Sequence, residues 1–544
     1  MNAVALAFSH RFITLTLSIL ATVTLAILIA AIPHSRWDIP LGVALAIGAA
    51  LSLLGLRDLV QTSHSVLRNY PIAAHIRFLL EDIRPELRQY FFESEKDGLP
   101  FSRDERSIVY QRAKLQLDKR PFGTQFDVYA QGYEWLRHSM APKPMDNPQH
   151  FRVTVGGPDC AKPYSISVFN ISAMSFGALS ANAVRALNKG AAKGGFAHDT
   201  GEGGFSPYHR ENGGDIIWEI GSGYFGCRTL DGTFDPQAFA RVAAEPQIKM
   251  IEIKLSQGAK PGHGGVLPAA KVSAEIAAIR GVEMGRDCIS PGRHSAFSTP
   301  LEMMSFIAQL RKLSEGKPVG FKLCVGHPWE FLAICKAMVE SGTYPDFIVV
   351  DGKEGGTGAA PIEFMDRLGM PMRDGLVLVN NAITGIGAKK RIKIGVSGKV
   401  TNAFDMARAM ALGADWCNSA RGFMFALGCI QSLSCHTDRC PTGVTSQDPS
   451  RSRALYVPDK AERVYNFHRA TLHALAELTA AAGLDHPNDF HPDHFCRRVS
   501  SHEVMTFGEL YPTLAEGELL AGARDQKLRE AWNMARPDSF AVAI

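Results

Sequence analysis

The chain has 544 residues, of which 46% are hydrophobic and 21% charged, and its formal net charge is +4. So small a charge excludes a broad nucleic-acid-binding surface as the main function, and the length allows one large barrel with additional segments. The 10 cysteines show no repeated spacing outside one trio, which argues against a disulfide framework and favours a reducing compartment.

Two uncharged stretches lie near the start of the chain. Residues 12–32 and 39–56 contain no charged side chain, and each is close to the roughly 20 residues that cross a bilayer. They predict two transmembrane helices within residues 1–57, joined as a hairpin by a short linker. A signal peptide ahead of a buried helix is the alternative, but the first stretch is long for a signal peptide and no clear cleavage site follows it.

The arginines around these stretches predict an orientation. Arg11 precedes the first stretch, Arg57, Arg68 and Arg77 follow the second, and only Arg36 lies between them. Because positively charged flanks stay in the cytoplasm, both ends of the hairpin are expected there. The sequence thus predicts a protein of the inner or cytoplasmic membrane whose catalytic part faces the cytoplasm.

The next segments predict a connector and a barrel. Residues 58–150 are rich in arginine, tyrosine and helix formers, and predict a helical and irregular connector that packs over a barrel end or lies near lipid head groups. Over residues 151–450, short apolar runs alternate with helical stretches, which predicts an α/β fold of the (β/α)8 TIM barrel type. The eight runs are YSISVFNIS, GGFAHDT, IIWEIGSGYFG, MIEIKLS, PVGFKLCVG, DFIVVDG, RIKIGVSG and ADWCNSA. An open doubly wound sheet is the alternative, but GSGYFG, which matches a dinucleotide fingerprint, is not followed by the start of a helix.

Residues directly after the apolar runs are the candidate site, because active sites of such barrels lie at the C-terminal ends of the strands. Glycines and other small residues there let the backbone come close to a bound molecule. The loops after the seventh and eighth runs are candidates for a phosphate site. In chain order the candidates are Ser172, Met174, Ser175, Glu202, Lys254, Gln257, Lys260, Lys322, Gly356, Thr357, Gly358, Ser397, Gly398, Ser419 and Arg421.

A cysteine trio follows the last barrel loop. Cys429, Cys435 and Cys440 lie in GCIQSLSCHTDRCPTGVTSQ, and a proline follows the third. Thiolates are the ligands of iron-sulfur centres, and a proline after a ligating cysteine recurs in ferredoxin-like runs. Paired C-x2-C elements, which are typical of structural zinc sites, are missing from the sequence. The loop 429–440 therefore predicts an iron-sulfur cluster close to the barrel cofactor.

The tail, residues 451–544, is helical around NFHRATLHALAELTAAAGL and then irregular. It contains four potential metal ligands, His486, His491, His494 and Cys496. The prolines and aspartates around them indicate a solvated loop rather than a metal site.

Several motifs in fixed order resemble one family. MSFGALS, GEGG, KLSQGAKPG and the C-x5-C-x4-C loop with CPTGV resemble the FMN-containing synthase domain of glutamate synthase, from about Ser165 to Gln447. The resemblance implies FMN as cofactor and a three-iron, four-sulfur (3Fe-4S) cluster. A four-iron cluster with a fourth ligand other than cysteine stays open.

The resemblance also implies roles for individual residues. Lys254 and Gln257 would hold the edges of the flavin ring, Glu202 would bind an iminium nitrogen or move a proton, and Lys260 would face the substrate. Arg280, at the end of AEIAAIR, matches an arginine that grips a substrate carboxylate, with an exposed helical arginine as the alternative.

The chain departs from the family pattern at one loop. Where glutamate synthases have KPGEGGQLP, this sequence has KPGHGGVLP, so that His263 replaces a glutamate and Val266 replaces a glutamine. If that glutamine helps bind 2-oxoglutarate, the departure favours a different or smaller oxo acid.

The resulting hypothesis is an FMN and iron-sulfur oxidoreductase that aminates 2-oxoglutarate with ammonia to L-glutamate. Neither a glutaminase domain nor a second nucleotide-binding domain is recognised, so ammonia and electrons are expected from outside, the latter from a ferredoxin or a separate reductase. Two alternatives stay open. One is an FMN-dependent dehydrogenase of another amino or hydroxy acid, with His263 as its base; the other is a membrane-anchored electron-transfer subunit without its own substrate.

Overall fold

The computed structural model describes residues 3–32 and 37–542. The chain forms two compact units, residues 1–100 and 101–544. Arg36, which enters the orientation argument, lies outside the described residues. The domain boundaries given by the sequence stay predictions.

The first unit is helical. Its helices are α1 (Ala3–Ala7), α2 (Ile13–Ala31), α3 (Asp38–Val60), α4 (Ser65–Asn69) and α5 (Ala73–Leu87), the last continued by a π-helical turn at Arg88–Phe92. Helices α2 and α3 pack antiparallel through small residues, with the hydroxyl of Ser52 2.9 Å from that of Ser18 and 3.2 Å from that of Thr22. Among the described residues these two helices are long and apolar enough to cross a membrane, by length and composition alone.

The second unit contains all the strands of the described chain. The strands are β1 (Glu134–Leu136), β2 (Arg152–Val155), β3 (Tyr164–Ser167), β4 (Phe169–Ile171), β5 (His198–Asp199), β6 (Ile216–Ile220), β7 (Ile248–Lys254), β8 (Val266–Leu267), β9 (Cys288–Ile289), β10 (Val319–Leu323), β11 (Phe347–Asp351), β12 (Lys393–Ser397), β13 (Trp416–Ser419), β14 (Phe495–Arg498) and β15 (Val504–Thr506).

The helices of this unit surround its sheet. They are α6 (Arg103–Ala113), α7 (Ala181–Gly194), α8 (Pro207–Arg210), α9 (Pro236–Ala243), α10 (Ala274–Arg280), α11 (Pro300–Leu313), α12 (Pro328–Ser341), α13 (Ile362–Arg367), α14 (Met372–Gly385), α15 (Ala403–Ala411), α16 (Arg421–Leu427), α17 (Pro449–Ser452), α18 (Val457–Ala481), α19 (Phe507–Leu510), α20 (Glu518–Ala521) and α21 (Gln526–Met534).

Eight of the strands close a parallel barrel, in the order β4, β5, β6, β7, β10, β11, β12, β13 and back to β4. Each overlaps one of the eight apolar runs, so the predicted (β/α)8 barrel is confirmed and the open sheet is wrong. The runs are recognisable because barrel strands are buried on both faces and are therefore apolar along their whole length. Helices α7 and α15 occupy the predicted connecting segments, and α7 begins with Ser180 accepting a hydrogen bond from the Ala183 amide at 3.3 Å.

Strand register and two small sheets position the site. In the barrel, Lys254 of β7 pairs with Lys322 of β10, and Glu219 of β6 pairs with Glu252 of β7. Strands β8 and β9 form an antiparallel hairpin in the long segment after β7, and β14 joins β1 to β15. Helix α18 of the tail packs on α6, α7, α15 and α16. Charged side chains are thus brought to one end of a barrel whose wall is apolar.

Candidate active site

One cavity lies at the C-terminal ends of the barrel strands. Its volume is about 1340 Å³ when the open mouth is counted. All catalytic and cofactor-binding candidates from the sequence line it: Ser172, Met174, Ser175, Glu202, Lys254, Gln257, Lys260, Arg280, Lys322, Gly356, Thr357, Gly358, Ser397, Gly398, Ser419 and Arg421. The structure therefore gathers residues from every part of the barrel sequence in one place, and their individual roles stay predictions.

Glu202 is fixed between two glycines and a lysine. Its Oε2 accepts a hydrogen bond from Lys254 Nζ at 3.1 Å. A Cβ atom built on Gly265 would lie 1.5 Å from Glu202 Oε1, and one on Gly221 would lie 2.9 Å from Oε2. Burial alone would raise the pKa of Glu202, but the charges of Lys254 and the nearby Arg280 outweigh it and lower that pKa below its usual value. The cavity thus holds an ionised carboxylate with little free space around it.

Lys260 is a buried amine in the same cavity. Its Nζ donates to the Ala359 carbonyl at 3.0 Å. Burial, opposed in part by the charge of Glu202 and assisted by that of Lys254, lowers the pKa of Lys260 to about 8. A lysine with such a pKa exchanges protons near neutral pH, as a general acid or base requires.

Arg280 is the last residue of α10 and is buried. Its Nη2 donates to Ser175 Oγ at 3.2 Å and to the Phe176 carbonyl at 3.0 Å, and the guanidinium lies 5.2 Å from the centre of the Phe225 ring. Its Nε has no hydrogen-bond partner among the described residues. The exposed helical arginine that was the alternative is wrong, since Arg280 is 3% exposed and oriented by the loop after β4.

The floor of the cavity holds a charge cluster that the sequence did not predict. Asp199, Glu219 and Glu252 are buried, and their carboxylate oxygens lie within 4.8 Å of one another. Lys322 donates to Glu219, and its Nζ lies 3.4 Å from Glu252 Oε1. Lys322 therefore places one positive charge beside two of the three carboxyl groups. Acidic residues inside the apolar runs IIWEI and MIEIK were the signal that could have found it.

Burial and neighbouring charges set the pKa of Glu252. Desolvation, and then the charges of Asp199 and Asp351, raise the pKa of Glu252 well above its usual value. Neither carboxylate oxygen of Glu252 has a donor among the described residues. Burial and the neighbouring carboxylates thus favour the neutral form of Glu252 over its charged form.

The loops after β11 and β13 present polar groups to the cavity. Arg421 Nη2 donates to the Thr357 carbonyl at 2.9 Å, and a Cβ on Gly356 would lie 2.5 Å from Arg421 Nε, so a larger residue there would displace the guanidinium. Two buried polar atoms that line this region, Thr401 Oγ1 and Asn418 Oδ1, have no partner among the described residues. Buried polar atoms without partners indicate a ligand or water that completes them.

The cysteine loop reaches the same cavity. Cys435 and His436 line it, Cys440 is buried, and Cys429 follows α16 directly. Burial, and then the neighbouring Cys435 and Cys440, raise the pKa of Cys429 to about 11, so the three thiols are close enough to interact. Among the described residues they do not form a group as compact as the floor carboxylates.

The loop has a defined backbone. Gln431, Leu433 and Asp438 adopt left-handed φ angles of 58°, 58° and 61°, which non-glycine residues seldom adopt without support. Gln431 is held by two hydrogen bonds to the backbone of Phe101, at 3.2 and 3.1 Å. Asp438 Oδ1 accepts from the Gln447 amide at 2.6 Å. The conformation of the loop is therefore fixed by the surrounding protein.

The two positions that depart from the family pattern have different surroundings. Val266, on β8, lines the cavity. His263 does not; its Nδ1 lies 3.0 Å from the Gly264 carbonyl oxygen, and its ring packs edge-on against Phe364. Val266 can therefore influence which substrate binds, whereas His263 is not placed to serve as a base in this cavity.

The tail residues do not form a metal site in the described structure. His486 and His491 cap short 3-10 helices, accepting from the amides of Asn488 and Asp493, and Cys496 is buried in β14. The capping roles agree with the loop that the sequence indicates there.

Fold and cavity together define a (β/α)8-barrel enzyme with its site at the C-terminal strand ends. The chain belongs to the glutamate synthase family, because residues 128–485 match the family model described as the conserved region in glutamate synthase. It is thus an oxidoreductase of the glutamate synthase type, and the family supports FMN as its cofactor.

Individual relatives agree with this family. YerD, a glutamate synthase large subunit-like protein of Bacillus subtilis (strain 168), is 39% identical over 495 residues, which cover 84% of this chain and 94% of that protein. An archaeal glutamate synthase (NADPH) of Archaeoglobus fulgidus is 35% identical over 315 residues, 58% of each chain, so the match spans little more than half of that relative. A solved structure of a mutant flavocytochrome b2 with benzoylformate is 12% identical, covers 76% of this chain and 91% of its own, and has a TM-score of 0.41.

Proposed function

We propose that this protein is an FMN and iron-sulfur oxidoreductase that aminates 2-oxoglutarate with free ammonia to give L-glutamate, using electrons from an external donor such as a ferredoxin or a separate reductase. The observation that carries the proposal is the convergence of Glu202, Lys260 and Arg280 in one cavity that Cys435 also lines. A carboxylate, a low-pKa amine and an arginine are the groups that an amination of an oxo acid requires.

The cavity fits FMN. The loops after β11, β12 and β13 (residues 356–358, 397–398 and 419–421) would hold the phosphate, where Thr401 and Asn418 have buried polar atoms without partners among the described residues. Ser172, Met174 and Ser175 would lie against the ring, and Lys254, Gln257 and Lys322 would contact its polar edges. When bound, FMN supplies hydride transfer, which no side chain of this chain can perform.

The substrate would be held by opposite charges. Arg280 presents guanidinium donors beyond those used by Ser175 and Phe176, and its planar fork suits a carboxylate. Lys260, with a pKa of about 8, would donate or accept a proton at the oxo or imino group. Glu202, kept ionised by Lys254 and Arg280, would bind the ammonium or iminium nitrogen.

The cysteine loop fits an iron-sulfur cluster. Cys429, Cys435 and Cys440 would supply three thiolates, which suits a 3Fe-4S centre as the family resemblance implies. Hydrogen bonds with Thr442 and Thr445 outweigh burial and lower the pKa of Cys440, which favours its thiolate form. When bound, the cluster supplies one-electron transfer.

We infer that α2 and α3 anchor the enzyme in the cytoplasmic membrane, with the barrel in the cytoplasm. Their hydropathy and length support the anchor, and the arginines around them support the orientation. A reducing compartment also suits a chain whose described cysteines are all unpaired.

A second candidate is the amination of another 2-oxo acid, or the reverse oxidation of its amino acid. Val266 favours it, because this apolar side chain lines the cavity where the family has an amide. A substrate with a shorter or apolar side chain would then bind better than 2-oxoglutarate.

The test is a flavin reoxidation experiment. Protein purified anaerobically and reduced with dithionite is mixed with 2-oxoglutarate and ammonium, while flavin absorbance and glutamate are followed. Reoxidation with glutamate formed, lost in Arg280→Ala and kept in Arg286→Ala, supports the proposal. Arg286 is a matched control because its side chain is 78% exposed and pairs with the exposed Glu283. Reoxidation by a different oxo acid supports the second candidate, and a flavin that no oxo acid reoxidises indicates an electron-transfer subunit.

A further inference from the structure

Helix α5 and the turn that continues it expose a row of large apolar side chains. Their exposed fractions range from 40% to 79%, which is unusual for so many large apolar residues in one short segment. The residues are Ile76, Leu79, Leu80, Ile83, Tyr90, Phe91 and Phe92. The first four are spaced by three, one and three residues, so they share one face of α5. Within the described residues of the first unit, no side chain covers this face.

The start of α5 is fastened to one end of the apolar helix pair. Asp58, near the end of α3 and 1% exposed, accepts hydrogen bonds from the Ile72 amide and from His75 Nε2, both at 3.0 Å. Thr14, near the start of α2, donates to the Pro71 carbonyl at 2.8 Å. Since α2 begins and α3 ends on the same side of the hairpin, both contacts fix α5 at that end.

The direction in which α5 leaves the hairpin is also fixed. Ile72, directly before the helix, has a φ of 66°, which is costly for a β-branched residue and persists only where its surroundings hold it. The bond from its amide to Asp58 supplies such a constraint. The chain therefore turns sharply from the helix pair into α5.

The charges of α5 are arranged beside the apolar face. Arg77 and Arg84 of α5 and Arg88 of the following turn are separated by seven and four residues, so they form a row along one flank, and all three are exposed. Arg77 Nε also donates to the exposed Glu81 at 2.8 Å. Arginine side chains next to an apolar face can extend to phosphate groups while their stems stay in apolar surroundings. Tyr90 adds a side chain of the kind that is enriched at membrane interfaces.

We propose that residues 73–92 lie in the lipid–water interface, with the face of Ile76, Leu79, Leu80 and Ile83 in the acyl region and the arginine row at the head-group phosphates. The proposal rests on the proposed insertion of α2 and α3 in the membrane. With α2 spanning 19 residues, or about 28 Å at 1.5 Å per residue, its ends coincide with the two interfaces. The fastening through Asp58 and Thr14 then places the start of α5 at interface depth, and a lipid surface is the occupant that covers its apolar face.

The test is photo-cross-linking in the full chain reconstituted in vesicles of phosphatidylethanolamine and phosphatidylglycerol. Benzoyl-phenylalanine replaces one residue at a time, as Leu80→benzoyl-phenylalanine on the apolar face and Asp82→benzoyl-phenylalanine on another face of the same helix. Val23→benzoyl-phenylalanine in α2 tests the membrane span itself. All three side chains are exposed, Val23 by 51% and Leu80 by 52%, so the larger group needs no repacking. Mass spectrometry identifies each adduct as lipid or protein.

We expect lipid adducts at positions 23 and 80, and at least about fivefold fewer at position 82, because an interfacial helix buries only its apolar face. Lipid at position 23 with protein adducts or none at position 80 would overturn the proposal while leaving the membrane span intact; a protein adduct would point to a second copy or another partner on this face. The absence of lipid at both positions 23 and 80 would remove the proposed membrane insertion, and this inference with it. Equal lipid yields at 80 and 82 would also contradict it.

Discussion

The close packing around the Glu202 carboxylate allows a direct test of the candidate site. Gly265 has no unusual backbone angle that demands glycine, so its need for glycine comes from the carboxylate beside it. In Gly265→Ala, the new Cβ would lie 1.5 Å from Glu202 Oε1 and 2.4 Å from Cδ. A single methyl group therefore displaces the carboxylate without altering its chemistry.

The size of the displacement follows from the contact distances. Ordinary van der Waals contact begins at 3.4 Å, so Glu202 Oε1 must move by about 2 Å from a methyl group that would otherwise lie at 1.5 Å. The carboxylate then leaves its 3.1 Å hydrogen bond with Lys254. Because a misplacement of about 1 Å can cost about 100-fold in rate, kcat/KM should fall by at least about 100-fold. The loss of this buried pair should also lower the free energy of unfolding by about 1–3 kcal/mol.

The assay is anaerobic glutamate formation with thermal unfolding measured on the same preparations. Gly326→Ala is the matched control, since Gly326 follows a barrel strand on the same face and a Cβ there would meet no atom closer than 4.0 Å. It should keep activity and stability. If Gly265→Ala folds and keeps activity within about threefold of the unchanged protein, then Glu202 does not act from the position described, and the expected cost of misplacing its carboxylate is refuted for this site.

Three further predictions concern the buried pair Glu219 and Glu252, the amine of Lys260, and the cysteine loop. Glu252→Gln should change the free energy of unfolding little at neutral pH, because burial and nearby carboxylates raise the pKa of Glu252 and favour its neutral form. Glu219→Gln should lower that free energy by about 3–5 kcal/mol, because it removes the charged partner to which the buried Lys322 donates. Equal effects of the two substitutions in urea unfolding would contradict this. Lys260 has a pKa of about 8 in the folded chain against 10.5 in the unfolded one, so the unfolded chain binds more protons between these values and stability should rise with pH there. Lys260→Gln should reduce this increase of stability with pH. An unchanged slope of stability against pH would show that Lys260 does not have the lowered pKa. Cys440→Ser should abolish the iron-sulfur signal in electron paramagnetic resonance and lower the iron content, while Cys496→Ser, at a buried cysteine of β14, should keep both; loss in both variants would indicate misfolding rather than a lost ligand.

The barrel was predictable because its strands are buried on both faces and so are apolar throughout, with glycine-rich loops after them. Lys254 and Lys322 end two such runs, and parallel strands bring their ends to the same edge of the sheet. Once each apolar run is assigned to a barrel strand, the topology alone therefore predicts that the candidate residues lie together. The burial of Arg280 was harder to predict, because an arginine at the end of a helix is usually exposed. Here the loop after β4 packs against it and accepts its hydrogen bond.

The charge cluster at the floor was not predictable in the same way. Glu219 and Glu252 lie within strand runs, where a lone acidic residue gives no indication of its partner. Their pairing depends on the register between β6 and β7, and the register of β10 against β7 sets how close Lys322 comes. The register between β6 and β7 also shifts between Ile216 and Ile217, and no local pattern signals such a shift.

The proximity of cysteine loop and cavity has a structural cause beyond their closeness in sequence. Helix α16 is a single short helix between the β13 loop and Cys429, and Tyr110 of α6 donates to the Cys429 carbonyl at 2.6 Å, which holds the loop against the barrel end. Lys271 lies on the other side, buried, with its Nζ donating to the Ala178 carbonyl at 2.7 Å. It lines the cavity and is near enough to Cys435 and Cys440 for their charges to influence its pKa. Lys271 is thus a buried amine that contacts the cavity and also lies near the cysteine loop, so a change at either place alters the surroundings of the same side chain.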